Sequence, residues 1–442
     1  MASARTYWNP FLETLPPEKL AALQLKKFQR ALAYAYTHSP FYRQKLGRAG
    51  IQPEEIRSYE DILKIPTTTK SELQAAQTES DSIYGSLCCL PSEEIAVYHQ
   101  TSGTTGHPIR QADSRRDWEW WAECWATLLW AQGFRPPDRM IIPFSYGVFV
   151  AFWAGHYACE KIGCEVIPAG GLSSEARIDK MRELKASAIM CTPTYALHLA
   201  EVAKTMSLDP VNDLHIEKIV CAGEPGALIP ATKVRIESEW GASVFDHAGA
   251  TEAGAWGFEC IAQSGGLHVN EAFFLVELLD PETKQPVLPD EEGELVITPL
   301  DREAQPVIRF ELRDRALWSK ELCSCGRSYR LLDGGLRGRS DQLVKVRGVL
   351  FSPTTVESVV RQFDNLGNEY QVIVEREHEL DKVTVQVELL SGGDSDRMHT
   401  ELEQQLRIAT GLRCHVELKP LGTLPRYEVK AKRFIDRREH DE

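Results

Sequence analysis

Between residues 139 and 247 short apolar runs alternate with longer amphipathic segments, and this alternation restricts the possible folds more than any other feature of the chain. The runs 139–144, 188–191 and 216–222 read as buried strands, and the segments 149–162, 175–185 and 195–206 as helices between them. Gly163, Gly223 and Gly241 mark the joins. An antiparallel return needs only a tight turn, whereas a parallel return needs a crossover long enough to hold a helix. The stretch therefore predicts an α/β arrangement, a parallel sheet covered by helices.

The flanks read differently. Residues 16–37 predict a helix, with Pro16 and Pro17 at its start and Leu25, Phe28, Leu32 and Tyr36 on one face. Beyond Glu259 the runs 273–279, 293–298 and 307–310 are short and separated by turn residues, which predicts a β-rich subdomain. Arg309, Arg313 and Arg315 read there as part of a mixed-charge surface strand. Gly334, Gly335 and Gly338 crowd together before Asp341, and a tail of strands (343–346, 370–374, 383–390, 414–418) and helices (354–363, 398–409) follows. The expected organisation is a large N-terminal domain, 1–340, and a small, mobile α+β C-terminal domain, 341–442.

A chain of 442 residues that is 43% hydrophobic can bury the core such domains need. Its formal net charge of -14 argues against nucleic acid as a partner. The first ten residues carry no apolar core of an export signal, and the apolar stretch 144–159 is too short to span a bilayer. Eleven cysteines in such a chain read as reduced thiols, so a cytoplasmic location, without membrane contact, is expected.

The sharpest local signal is Thr101-Ser102-Gly103-Thr104-Thr105-Gly106-His107-Pro108. Two glycines let the backbone approach an anion closely, and four hydroxyls with a run of peptide N–H groups can surround phosphate oxygens. No Gly-Lys-Ser/Thr follows, so the loop is not of the P-loop NTPase kind. An ordinary Ser/Thr/Gly turn is the competing reading, and the strand-like run before the loop disfavours it.

The loop resembles the phosphate loop of the acyl-adenylate-forming superfamily, which comprises acyl-CoA synthetases, peptide-synthetase adenylation domains and luciferases. Within it the chain is most similar to phenylacetate–CoA ligases, through Tyr7-Trp8-Asn9-Pro10, Ser39-Pro40-Phe41-Tyr42-Arg43, Phe144-Ser145-Tyr146-Gly147 and Thr192-Pro193-Thr194-Tyr195. The resemblance runs nearly end to end. It implies an acid–CoA ligase that uses ATP, Mg2+ and coenzyme A, first forming acyl-AMP and pyrophosphate, then acyl-CoA and AMP.

The resemblance also assigns roles. Asp246, His247 and Ala248 would lie against adenine, Thr251 would touch the α-phosphate and Glu252 would hold Mg2+, a hard cation suited to a carboxylate. Gly223-Glu224-Pro225 would be a second nucleotide-contact turn. Asp314 and Arg339 would reach the ribose, and Asp341 would be the hinge. Gly348 would line the pantetheine tunnel, and Lys430 would be the cation that neutralises charge on the attacking carboxylate and the α-phosphate. Lys432, Arg433, Arg437 and Arg438 lie close by, so a simple basic tail competes with that assignment. His107 replaces the lysine usual in the loop, and Val429 replaces a common glycine.

Cys323-Ser324-Cys325, with Cys260 and His268 upstream, offers three thiolates and an imidazole, the ligand set of a structural Zn2+. Tyr146, Phe149 and Ala222 fall on segments that form the acid pocket in the resembling family, and they suit an aromatic or compact apolar acid such as phenylacetate or a benzoate. The stripe Trp118, Trp121, Trp125 has helical spacing and reads as core. Two other classes compete: an adenylating enzyme for a small hydroxy or aliphatic acid or for a carrier protein, and a nucleotide-binding module without turnover. The expected partners are a small carboxylic acid and CoA, with a homodimer as the default assembly.

Overall fold

The computed structural model describes residues 6–101, 107–263, 265–347, 349–377, 380–390, 395–427 and 431–438. It divides into two units, residues 1–170 with 245–337 and residues 171–244 with 338–442.

In the first unit the helix Pro17–His38 starts on a proline, where no amide donor is required. Phe28 and Leu32 are buried as expected. Gln24, Ala31 and Ala35 are buried beside them, so the buried stripe lies to one side of Leu25 and Tyr36. Gln24 can be buried because its Nε2 donates to the Phe274 carbonyl (2.8 Å). The helix Lys70–Thr78 begins with a reciprocal cap: Glu72 N donates to Thr69 Oγ1, and Thr69 N donates to the Glu72 carboxylate. Val97–Gln100 pairs antiparallel with Arg110–Asp113, Gln100 opposite Arg110, so the Ser/Thr/Gly-rich loop joins the two strands of a hairpin. The long helix Arg115–Ala131 follows and buries Trp121 and Trp125 of the expected core stripe, whereas Trp118 is only half-buried.

Arg139–Ile142 and Glu165–Pro168 pair in parallel across the helix Val150–Ile162, which ends on Gly163 at φ 95°, a conformation that glycine adopts at little cost. Ser243–Ala250, Gly254–Phe258, Gly266–Val269 and Leu331–Asp333 follow one another as antiparallel neighbours, and the boundary between the units falls inside the first of these strands. Phe274–Leu279, Gly293–Pro299 and Phe310–Ala316 form a three-stranded antiparallel sheet.

This sheet corrects the reading of 307–310 as a strand, because pairing begins only at Phe310. Arg309 stands at φ 49°. Its amide donates to Thr298 Oγ1 (2.9 Å), and its guanidinium is buried against Glu277 (3.0 and 2.9 Å) and the Ile65 carbonyl. Arg309 is thus an internal tie rather than part of a charged surface. Val307 and Ile308 are apolar because they are buried there, not because they pair as a strand.

In the second unit Ala188–Cys191 and Lys218–Cys221 pair in parallel, linked through the helix Pro193–Thr205. The helix Pro230–Trp240 ends on Gly241 at φ 61°. In the C-terminal part, Val344–Val346 and Val349–Phe351 form a hairpin, and the helices Pro353–Val360 and Ser395–Thr410 accompany a four-stranded sheet in the order Cys414–Pro420, Leu380–Leu389, Leu366–Glu377, Phe434–Asp436. Val372, Val374, Val383, Val385, Leu402, Leu406 and Val416 make its core. Phe434–Asp436, absent from the sequence reading, spans only three residues, too few for a period to declare itself.

Within this unit residues 338–442 are joined to 171–244 by directed polar contacts. Thr232 Oγ1 donates to Glu357 (3.1 Å), Arg235 to the Leu366 carbonyl (2.7 Å) and Asn368 Nδ2 to Glu201 (2.6 Å). Among the described residues no helix is long and apolar enough to cross a membrane.

Candidate active site

The first unit holds the residues expected around the phosphates. Thr101 closes the loop: its amide donates to the Ile109 carbonyl (3.1 Å), and its Oγ1 accepts from Ile109 N (2.9 Å). Ser102, Gly103, Thr104, Thr105 and Gly106 lie outside the described residues. His107 is exposed, and its carbonyl accepts from Gln74 Nε2 (2.8 Å). Gln100 N donates to the Val148 carbonyl (3.0 Å), which holds the Tyr146–Phe149 segment beside the start of the loop.

Thr251 and Glu252 occupy the turn between Ser243–Ala250 and Gly254–Phe258. Arg302, absent from the sequence reading, fixes that turn: its Nη1 donates to the carbonyls of Glu252 (2.8 Å) and Thr251 (3.4 Å). Its Nη2 lies 2.6 Å from Asp113, and both side chains are fully buried. Burial alone would raise the Asp113 carboxyl, but Arg302 and His99 beside it carry it below the usual carboxylate range. The Glu252 carboxylate, itself buried, faces Lys70 Nζ at 3.7 Å.

Asp246, His247 and Ala248 are buried on their strand. The His247 ring packs on Trp125 with centroids 4.2 Å apart, its Nδ1 lies 3.0 Å from the Gly257 carbonyl, and burial pushes the imidazole down to about 4. Asp246 N donates to Glu259 (2.7 Å). Asp314 is half-buried in the strand Phe310–Ala316. Tyr146 Oη lies 2.9 Å from His156 Nδ1, its ring is 4.7 Å from that of Trp153, and burial pushes its phenol up. Phe149 is 37% exposed.

The second unit holds the remaining assigned residues. Gly223 stands at φ 95°, and Glu224 beside it binds two amides, Thr194 N at 3.0 Å and Ala431 N at 2.9 Å. Ala431 immediately follows Lys430 in sequence. Arg433 is buried between Thr194 Oγ1 (2.9 Å) and Glu369 (3.0 Å). Ala222 is buried, with its amide on the Cys191 carbonyl (3.0 Å), and Pro225 is exposed. Arg339 makes a forked pair with Asp341 (2.8 and 2.7 Å). Gly348 and Lys430 lie outside the described residues.

Away from these groups the first unit gathers Cys260, His268, Cys323 and Cys325, with ligand atoms all within 4.8 Å of one another. His268 Nδ1 lies 3.1 Å from the Tyr329 carbonyl, which leaves Nε2 to face Cys325 Sγ at 3.4 Å. The Sγ atoms of Cys260 and Cys323 are 3.5 Å apart, too far for a disulfide. Three thiols and an imidazole oriented from behind by a carbonyl match what a tetrahedral zinc requires.

Two family models match the chain, one described as AMP-binding enzyme over residues 44–299 and one as AMP-binding enzyme C-terminal domain over residues 348–438. The chain belongs to the AMP-binding enzyme family. Phenylacetate-coenzyme A ligase of Thermus thermophilus is 33% identical, aligned over 98% of this chain and 99% of its own length. 2-Hydroxyisobutyryl-CoA ligase in the postadenylation state, in complex with 2-HIB-AMP, superposes with a TM-score of 0.93 at 30% identity, covering 99% of this chain and 93% of that one. The same ligase with 2-HIB-AMP and CoA in the thioesterification state gives 0.75 at 31% identity, covering 99% and 94%. In particular, the protein is an ATP-dependent acid–CoA ligase that works through an acyl-adenylate.

Proposed function

We propose that the acid is aromatic, an arylacetate or benzoate. The observation that carries this reading is the ring cluster in which Tyr146 meets Trp153 at 4.7 Å beside the start of the phosphate loop. The name of the Thermus relative agrees with it. A second reading, a small hydroxy acid, has its own support: the Tyr146–His156 pair could hydrogen-bond a hydroxyl, and the ligase with the TM-score of 0.93 is named for 2-hydroxyisobutyrate. Acid-dependent AMP release with CoA present, over a panel of arylacetic, benzoic, hydroxy and long-chain acids, decides. The highest kcat/KM is expected for an aryl acid; a hydroxy acid in first place would favour the second reading, and a long-chain acid would overturn both.

Thr251 touches the α-phosphate and Glu252 holds Mg2+, which would offset phosphate charge there. Asp314 and Arg339 bind the ribose, and Asp246-His247-Ala248 and Gly223-Glu224-Pro225 flank the base. Lys430 supplies the adenylation cation, and the hydrogen bond from Ala431 to Glu224 supports its place at the nucleotide turn. Asp341 is the hinge between domains 1–340 and 341–442, and Gly348 lines the tunnel by which free CoA, rather than a carrier protein, delivers its thiol. Zn2+ at Cys260, His268, Cys323 and Cys325 is structural. The enzyme would work in the cytoplasm, as a homodimer.

A further inference from the structure

Lys70 is the first residue of the helix Lys70–Thr78, where the positive pole of the peptide dipoles favours a carboxylate over an ammonium. The backbone that carries it is nevertheless held firmly. Thr69 caps the helix. Thr68 is fixed by three bonds: its amide to the Arg309 carbonyl (2.8 Å), its carbonyl to the Glu311 amide (2.9 Å) and its Oγ1 to the Ile308 carbonyl (2.8 Å). A firmly held cation of the unfavourable sign needs a reason other than helix stability.

The surroundings supply one. The ammonium lies 3.7 Å from the Glu252 carboxylate. The Arg302–Asp113 pair closes to 2.6 Å by comparison, so Lys70 is only loosely engaged and keeps donors for another anion. Four residues on, and therefore on the same face of the helix, Gln74 holds the His107 carbonyl at the end of the phosphate loop (2.8 Å). This face thus borders both Glu252 and the loop. His107 occupies the loop position where the resembling family usually has a lysine.

Resting on the site assignment under Proposed function, we propose that Lys70 is a further catalytic residue, an ammonium that binds the β- and γ-phosphate oxygens of ATP and stabilises the departing pyrophosphate. The charge that the loop lacks at His107 then comes from the neighbouring helix. In the step it serves, a carboxylate oxygen of the acid forms a bond to the α-phosphorus. The bond from that phosphorus to the α,β-bridging oxygen breaks, its electron pair leaves on pyrophosphate, and no proton is transferred. Lys70 offsets the charge gathering on the leaving group.

The test titrates magnesium pyrophosphate, and separately AMP, into the wild-type protein and into Lys70→Met, Lys70→Gln and Lys70→Arg by calorimetry at fixed ionic strength. Both neutral variants should bind pyrophosphate at least about tenfold more weakly and bind AMP within about twofold of wild type, with Lys70→Arg recovering most of the loss. Transfer of the acyl group from supplied acyl-AMP to CoA should be unchanged, because pyrophosphate has already gone. Pyrophosphate affinity within about twofold of wild type in both neutral variants, or equal losses for pyrophosphate and AMP, would overturn the role of Lys70 alone. A wild-type protein that bound neither ligand would overturn the site assignment, and this inference with it.

Discussion

At the scale of single residues, Arg302 joins stability to chemistry. Its guanidinium is fully buried against Asp113 and also holds the carbonyls of Thr251 and Glu252. Removing one partner of such a pair leaves a buried charge without compensation, at a cost of about 3–5 kcal/mol. Arg302→Met should therefore lose about that much in urea unfolding, and the double variant with Asp113→Asn should regain part of it. A loss under about 1 kcal/mol would mean that the pair is not closed in solution. His247 makes a different prediction. Its imidazole is held down to about 4, whereas an unfolded histidine titrates near about 6.5. Between these values the unfolded chain binds a proton that the native state refuses, so stability falls as pH drops, with a slope of up to about 1.4 kcal/mol per pH unit. Unfolding free energies at pH 5 to 6.5 should show a shallower slope in His247→Gln than in wild type; identical slopes would remove His247 as the cause.

At the scale of elements, the Cys260, His268, Cys323, Cys325 cluster joins the end of Gly254–Phe258, the strand Gly266–Val269 and the turn before Leu331–Asp333. A metal there would staple three segments. Purified protein should contain close to one zinc per chain, and Cys323→Ser should lose the metal and several degrees of melting temperature. Metal-replete protein without zinc would eliminate the site. This cluster was legible in sequence because ligand chemistry narrows the choice to cysteine and histidine. The strand–helix alternation was legible because a short continuous apolar run and a period of 3.6 are both local signals. Arg302 was not: its partner Asp113 lies 189 residues away, and an arginine in a loop announces nothing about burial. Residues 307–310 misled for a related reason, since apolar residues buried by tertiary packing look the same as a strand. Lys70 left one trace, a cation at the wrong pole of a helix.

At the scale of the whole molecule, the two half-reactions are assigned to opposite uses of the C-terminal domain. Lys430→Ala should slow adenylation by about 100- to 1000-fold, the usual effect of losing one preorganised electrostatic contact, yet still convert supplied acyl-AMP to acyl-CoA. Asp341→Pro, which would stiffen the proposed hinge, should show the reverse bias, and Lys432→Ala should alter neither step. Equal loss of both half-reactions in a folded Lys430→Ala protein would refute the assignment.

Glu224 connects this scheme to affinity. One of its carboxylate oxygens serves Thr194 and the other Ala431, so the segment after Lys430 is clasped to the 171–244 part of its own unit. The proposed rotation of the C-terminal domain would have to open that clasp, and to that extent the clasp would disfavour the form ready for CoA. A ligand that binds only a minority species shows an affinity diluted by its fraction, tenfold for every ~1.4 kcal/mol in favour of the clasped form. On the proposed rotation, Glu224 would tune how much CoA the enzyme needs without ever touching it: the firmer its grip on Ala431, the higher the concentration of thiol at which the second half-reaction would begin to run.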